Sequence, residues 1–231
     1  MIYITGDKHG DFTNVFNQSN IFKKEDILMV LGDSGINYYG NGRDKKLKNK
    51  LFNRLQCKLF IVRGNHENRP SNIHTYELAT MYGGLVYFEQ EYPNLIFAVD
   101  GEIYNIENKS FAVLGGAYSV DKHYRIERGW KWFEDEQPNN RDKKFLIKNL
   151  DGCNWKVDYM LTHTAPYNHR PTEWFLSMID QSSVDESTEI WLDSIEEKLD
   201  YNKWILGHYH GEKADGKFRF LFDSIVPLEY A

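Results

Sequence analysis

A layered α/β fold is what this sequence predicts, and three observations predict it. Short apolar runs alternate with helical patterns through the first sixty residues. Each run ends in a polar motif that joins Gly to Asp, Asn or His. Residues 85–114 then break into four more runs separated by turn signals. In layered α/β folds, binding groups gather past the C-terminal ends of the strands. A chain of 231 residues suits one large domain or two small ones, either with a sizeable core. No repeat, low-complexity segment or interdomain linker is evident, so a single domain over 1–231 is expected.

Taken in order, residues 2–5 (Ile-Tyr-Ile-Thr) read as a short buried strand. Gly6-Asp7-Lys8-His9-Gly10-Asp11 follows as a strand-to-helix loop, with Asp11 positioned to cap a helix over 12–16. Residues 26–31 form a second buried strand that runs into Gly32-Asp33, and 34–44 are a Gly/Asn-rich loop. Leu47, Leu51, Phe52 and Leu55 recur at helical spacing, which predicts an amphipathic helix over 44–56. Strand 58–62 leads into Gly64-Asn65-His66-Glu67. A helix is expected over 70–82, ending at Gly83-Gly84. An antiparallel meander is expected at 85–88, 95–99, 102–106 and 110–114. Residues 116–137 mix aromatics with both charge signs and lack clean periodicity, so they read as a long ordered loop. Helix 139–150 and strand 157–161 precede Leu161-Thr162-His163-Thr164-Ala165-Pro166. Helices at 172–181 and 185–199 follow, the second marked by Trp191, Ile195 and Leu199 on one face. Strand 203–206 opens into Gly207-His208-Tyr209-His210, and strands at 218–222 and 225–228 close the chain.

Bulk composition excludes several classes. Hydrophobic residues at 41% and aromatics at 15% are too many for a disordered chain. Lys and Arg number 28 against 34 Asp and Glu, a net charge of −6, which gives no strong nucleic-acid-binding signal, because backbone binding needs clustered cations. The only two cysteines, Cys57 and Cys153, read as reduced thiols of a cytoplasmic protein. No apolar run approaches the ~20 residues that cross a bilayer. The first motif starts at Gly6, which leaves no room for a signal peptide.

The residue types that recur past the strands are Asp7, His9, Asp33, Asn65, His66, His163, His208 and His210. Imidazole, carboxylate and one amide oxygen suit borderline divalent ions such as Mn, Fe or Zn. Asp7 and His9, and likewise His208 and His210, are alternate residues; extended backbone points such pairs to one side. A carboxylate such as Asp33 can bridge two ions ~3.5–4 Å apart. Two cations there would neutralise phosphate oxygens and bring a bridging water to hydroxide near neutrality. His66 would protonate or stabilise the leaving oxygen.

The ordered blocks GDKH, GD, GNHE, TH and GHYH, spanning residues 6 to 210, resemble the calcineurin-like metallophosphoesterase superfamily. The resemblance implies a four-layer αββα sandwich of two mixed β-sheets flanked by helices. It also implies that Asp7, His9 and His210 hold one metal and Asn65, His163 and His208 the other. Asp33 would be shared and His66 would be the catalytic imidazole. The expected cofactors are two divalent ions, manganese first, with iron or zinc as alternatives. The implied activity is hydrolysis of a phosphomonoester or phosphodiester. Alternatives are a Ser/Thr protein phosphatase, a dinucleoside polyphosphate hydrolase, or a scaffold that binds metal without catalysis.

Two departures bear on those alternatives. In protein phosphatases the second block resembles GDxVDRG, whose later Asp pairs with the catalytic His and whose Arg grips phosphate. Ile36 and Asn37 stand there instead. The LTHTAP block is more similar to the TH-x-x-P of bacterial phosphodiesterase-type members. The run GGAYSVDKHYR resembles a segment of uncharacterised bacterial and phage members, and 116–137 is read as a cap over the metals. Within it Arg125 is the first candidate for a substrate contact, with His123 beside it and Arg170 beyond the TH block. Trp130, Trp132 and Phe133 would either stack a nucleobase or form the cap's own small core. Arg63 would make either a buried salt bridge or a phosphate contact. The lysine run at 45–50 reads as a solvated helix face.

Overall fold

The computed structural model describes residues 1–231. The first motifs come from β1 (Ile2–Thr5), β2 (Ile27–Leu31) and β3 (Lys58–Val62), with helices α1 (Thr13–Asn17) and α2 (Gly42–Arg54) between them. The middle of the chain supplies β4 (Glu77–Met81), β5 (Gly84–Glu89), β6 (Tyr92–Ala98), β7 (Ile103–Ile106) and β8 (Lys109–Leu114). Helices α3 (Lys122–Glu127) and α4 (Asn140–Gly152) follow, then β9 (Tyr159–Thr162), α5 (Ser187–Glu196), β10 (Lys203–Leu206), β11 (Lys213–Asp215), β12 (Phe218–Phe220) and β13 (Val226–Pro227). They assemble into a seven-stranded sheet ordered β13-β1-β2-β3-β6-β5-β4 and a six-stranded sheet ordered β11-β12-β10-β9-β8-β7. Both sheets mix parallel and antiparallel pairs.

The central strands are mostly apolar, and β2 is so at every position, because both of their faces are covered. In β2, Ile27, Met29 and Leu31 point into one core while Leu28 and Val30 point into another. The first core lies between the sheets, where Phe60 and Val62 of β3 join Phe111, Val113, Leu161 and Ile205 of the second sheet. The second lies under α1 and α2, with Val15, Phe16, Leu51 and Leu55 facing the sheet. The third lies under α4 and α5, where Leu146, Leu150, Leu192 and Ile195 cover Met160 and Trp204. Helix, sheet, sheet, helix is therefore the layer order, as the sequence resemblance implied.

The registers place the sequence motifs side by side. In the first sheet Thr5 pairs with Val30 and Leu31 with Val62, all parallel. In the second, Thr162 pairs with both Leu114 and Leu206, again parallel. The loops after β1, β2, β3, β8, β9 and β10 thus leave their sheets at matching ends.

Several elements differ from expectation. The helix expected over 70–82 is a single turn of 3-10 helix at Pro70–Asn72 followed by β4. β4 is an edge strand with Leu78 exposed, so it lacks the clean in–out alternation that identifies strands. Tyr82 and Gly83, with φ of 56° and 83°, turn it back into β5. The meander is split: β4–β6 belong to the first sheet and β7–β8 to the second. The helix expected over 172–181 is replaced by single 3-10 turns at Thr172–Trp174 and Gln181–Ser183. The short strand β11 was not anticipated. The segment 116–137 is ordered and carries α3 within it. Cys57 and Cys153 are unpaired, and no helix is long and apolar enough to cross a membrane.

Candidate metal centre

The backbone is strained where the predicted ligands sit. His9, Asp33, His208 and His210 all have left-handed φ, at 46°, 43°, 69° and 50°. For a non-glycine residue this costs roughly 1–2 kcal/mol each, and such strain concentrates where function fixes the geometry. Two of the motif glycines are required by close approach. A methyl group on Gly64 would run into the Asp33 carboxylate, and one on Gly207 into the Asp7 carboxylate. The Gly in GNHE and the Gly in GHYH are thus the floors on which the two carboxylates rest.

Each buried carboxylate is held by one oxygen and free at the other. Asp33 Oδ1 accepts from the His66 N–H at 2.7 Å, and Asp7 Oδ1 accepts from the His208 N–H at 2.8 Å. Asp33 Oδ2 then lies 3.6 Å from His163 Nε2, 3.8 Å from His9 Nε2 and 3.9 Å from His66 Nε2. Asp7 Oδ2 is buried without a hydrogen-bond partner and stands 3.2 Å from His210 Nε2. Bonds of about 2.0–2.2 Å to a shared ion put neighbouring donor atoms roughly 3–3.6 Å apart; the His163 and His210 separations fall in that range, and those of His9 and His66 lie just beyond it.

Two further pairs make the same point. His9 Nε2 faces His210 Nε2 at 2.9 Å, a contact in which both nitrogens cannot carry protons. His163 Nδ1 donates to the Leu31 carbonyl at 2.8 Å, so in the neutral ring Nε2 bears a lone pair. That nitrogen faces Asn65 Oδ1, itself an acceptor, at 2.8 Å. Acceptor facing acceptor inside a buried site calls for a proton or a cation between them. Without a metal it is a proton. Burial opposes charge on His163, but the Asp33 and Asp7 carboxylates overcome it and raise its pKa to about 9. Burial likewise opposes charge on Asp33, yet His163 and His66 hold its carboxyl well below the usual range. For His208, half-buried with its ring centroid 4.9 Å from that of His163, desolvation and then the His163 charge push the pKa down to about 3. The donor set and the orphaned Asp7 oxygen therefore fit divalent cations. Asp7, His9 and His210 form one compact cluster, and Asp7, Asp33 and His163 another.

The structure also identifies supports that the sequence reading missed. Asn65 presents its oxygen inward because its Nδ2 donates to Ser119 Oγ at 2.8 Å. Ser119 is in turn gripped by Glu136, which accepts from both its hydroxyl and its N–H. Glu67 is fully buried and ties two motif loops together, accepting from the Gly64 N–H at 2.9 Å and from the Ser34 hydroxyl. Burial, then the Asp33 charge, raises its pKa to about 7. Arg63 is buried and bonds Asp100 at 3.0 Å together with the carbonyls of Gly64, Gly115 and Glu136. Of the two roles open to Arg63, the structure realises the salt bridge. Phe12, not Asp11, is the N-cap residue of α1; Asp11 stands one residue earlier and accepts from the Thr13 N–H at 2.9 Å.

Ile36, at the position of the absent partner acid, is fully buried, and Asn37 bonds the Tyr76 hydroxyl. Neither reaches the centre. The cap instead brings Asp121 and Arg125 to the cavity that His66 lines. Arg125 bonds Asp121 at 2.7 Å and the Tyr38 hydroxyl at 3.2 Å. His123 is different: it is exposed and lines neither large cavity, because α3 turns it to the opposite side from Arg125. Arg170 lines the larger cavity, but its guanidinium is paired with Glu186 and lies 3.7 Å over the Tyr167 ring. Trp130 opens on the smaller cavity, whereas Trp132 packs beneath the Lys122 ammonium.

Compared with known proteins, residues 1–212 match the family model described as Calcineurin-like phosphoesterase. No curated protein matches the chain. Among solved structures the chain is similar to the phosphopantetheinyl hydrolase PptH of Mycobacterium tuberculosis, at 15% identity and a TM-score of 0.40, covering 96% of this chain and 87% of that one. It is also similar to a protein serine/threonine phosphatase of Saccharomyces cerevisiae, itself similar to human phosphatase PP5, at 17% identity and a TM-score of 0.33, covering 96% of this chain and 66% of that one.

Proposed function

The chain belongs to the calcineurin-like phosphoesterase family, and from that premise we propose that it hydrolyses a phosphomonoester or phosphodiester at a dinuclear metal centre. Metal-dependent phosphoester hydrolysis is the family's chemistry. The paired centre, the assignment of ligands and the metal are our reading. Asp7, His9 and His210 hold one divalent ion, Asn65, His163 and His208 the other, and Asp33 serves both. Manganese is the proposed metal, with iron or zinc as alternatives. The observation that carries this reading is the set of acceptors facing acceptors around the two buried carboxylates, with Asp7 Oδ2 left unpartnered. When bound, such ions activate water and neutralise phosphate charge.

The chain's own residues do the rest. The fixed Oδ1 bonds keep both carboxylates from turning away, so their second oxygens stay aimed at the centre. The His66 ring, half-buried beside Asp33, donates to the oxygen that leaves phosphorus. Arg125, braced by Asp121 and Tyr38, offers its guanidinium to a phosphate oxygen. The wall made by 116–137 limits water around the reacting group, in a single domain over 1–231. A cytoplasmic location is part of the same proposal, in keeping with the two unpaired thiols.

The test is metal reconstitution. Protein stripped with a chelator and dialysed against Mn²⁺, Fe²⁺ or Zn²⁺ is assayed with chromogenic phosphomonoesters and phosphodiesters. Hydrolysis restored by metal and abolished in Asp33→Asn and His66→Ala supports the reading. Activity indifferent to metal, or unchanged in both variants, contradicts it.

A further inference from the structure

Two cavities, not one, open on the metal centre. The larger, about 630 Å³, lies between the cap and the loop 170–189; the smaller, about 380 Å³, lies between the cap and the loop after β2. His9, His66 and Arg125 line both. The rings of His9 and His66 stand edge to face, 5.4 Å apart, at the junction. A phosphorus atom held against these side chains therefore faces two separate spaces for its substituents. A monoester has one organic substituent and fills one space. A diester has two.

The two spaces differ in chemistry. The larger is walled by Trp174, Phe175, Leu176, Ile179 and Val184. The Trp174 ring rests on Gly211, immediately after His210, which ties that wall to the metal loop. Polar groups sit around this wall, among them Arg170, Gln181 and Glu189, whose Oε1 accepts from Thr164 while Oε2 is buried with no partner. The smaller cavity is lined by Tyr38, Tyr39 and Trp130, with the Arg43 guanidinium 4.8 Å over the Tyr39 ring. Tyr39 and Trp130 are 40% and 53% exposed, so no core requires these rings there. Aromatic rings and stacked guanidinium groups at a cavity mouth are what a planar ring binds to.

We propose that the substrate is a phosphodiester with two unlike arms: an extended, largely apolar substituent in the larger cavity and a planar aromatic one in the smaller. This rests on the phosphoesterase reading above and deepens it. In the reaction RO–PO₂⁻–OR′ plus water gives ROH and R′O–PO₃H⁻. The water oxygen forms the new bond to phosphorus as one ester P–O bond breaks. One water proton passes to the leaving oxygen and the other stays on the phosphate product. His66, lining both cavities, reaches a leaving oxygen on either side.

The test uses the full chain reconstituted with Mn²⁺ and three probes: p-nitrophenyl phosphate, methyl p-nitrophenyl phosphate and hexyl p-nitrophenyl phosphate. We expect kcat/KM to rise at least tenfold from the methyl to the hexyl diester, and the hexyl diester to exceed the monoester. Leu176→Asp, at an exposed position that folding tolerates, should bring the hexyl-to-methyl ratio to within twofold of one; Val184→Asp is the second variant with the same readout. Tyr39→Ala should raise KM for the hexyl diester at least fivefold. Turnover of the monoester at a rate equal to or above both diesters, or equal rates for methyl and hexyl, overturns the two-arm inference and leaves the phosphoesterase reading standing. Turnover of none of the three probes with any divalent metal overturns both.

Discussion

Ser119→Ala removes one hydroxyl that touches neither substrate nor metal, and it should nevertheless loosen metal binding. In the wild-type protein Asn65 Nδ2 donates to Ser119 Oγ at 2.8 Å, which fixes the amide so that Oδ1 faces His163 Nε2. Glu136 in turn grips the Ser119 hydroxyl. Asn65 is 1% exposed, so water cannot take over the lost bond. A neutral buried hydrogen bond contributes about 1 kcal/mol net, and leaving a donor unsatisfied costs roughly 1–3 kcal/mol. Spread over an amide that can now turn end for end, this corresponds to roughly 10–100-fold weaker binding at the ion held by Asn65, the range seen when a metal ligand loses its outer support. Titration of metal-stripped protein with Mn²⁺, followed by calorimetry or by competition with a chromophoric chelator, reads the effect. Two classes of site should separate, with only one weakened. Ser119→Thr, which keeps a hydroxyl, should restore most of the affinity. If Ser119→Ala folds normally and binds two equivalents of Mn²⁺ as tightly as wild type, the outer support assigned to the cap is wrong.

The remaining predictions concern other parts of the same site. His66→Gln should lower kcat by about 10²–10⁴ while leaving metal stoichiometry at two, as loss of a proton donor does; a large change in bound metal would instead make His66 a ligand. Arg63→Ala should destabilise the fold by roughly 2–4 kcal/mol, because it removes the 3.0 Å ion pair with Asp100 and three buried bonds to carbonyls, leaving Asp100 only Arg69 at 3.5 Å and the Gly115 N–H; thermal unfolding measures this, and a Tm shift under two degrees would refute it. Glu67 gives a pH signature in metal-free protein. Its pKa is raised to about 7 when folded and is near 4.5 when unfolded, so the folded state holds the extra proton between those values. Stability contributed at low pH is thus lost as pH rises from 4.5 to 7, by about 3 kcal/mol in all. Glu67→Gln keeps an oxygen for the Gly64 N–H and reverses the second bond, its NH2 donating to Ser34 Oγ, and it should flatten that slope; an unchanged pH profile by denaturant unfolding would rule the assignment out.

What the sequence discloses of this molecule follows from where its signals lie. Asp7, Asp33, Asn65 and His163 each stand one to three residues past a strand buried on both faces, and such strands are unmistakable apolar runs. Parallel register then brings the ends together without further instruction. The supports were not legible because they join distant segments. Ser119 meets Asn65 across 54 residues, and only the folded cap decides it. β4 carries no strand signature because an exposed edge strand shows no alternation, and 172–181 departs from its helical pattern because residues that wall a cavity follow the cavity's outline. Arg43 opens α2 among charged neighbours, and nothing in the pattern sets it apart from a solvated face until Tyr39 folds against it. His123 and Arg125 look equivalent in sequence; half a turn of α3 separates their roles.

The most direct test of the dinuclear centre is anomalous scattering from crystals soaked in Mn²⁺. Two peaks about 3.5–4 Å apart are expected. One should touch Asp7, His9 and His210, the other Asn65, His163 and His208, with Asp33 between them. A single peak, or two peaks that Asp33 does not join, would contradict the account.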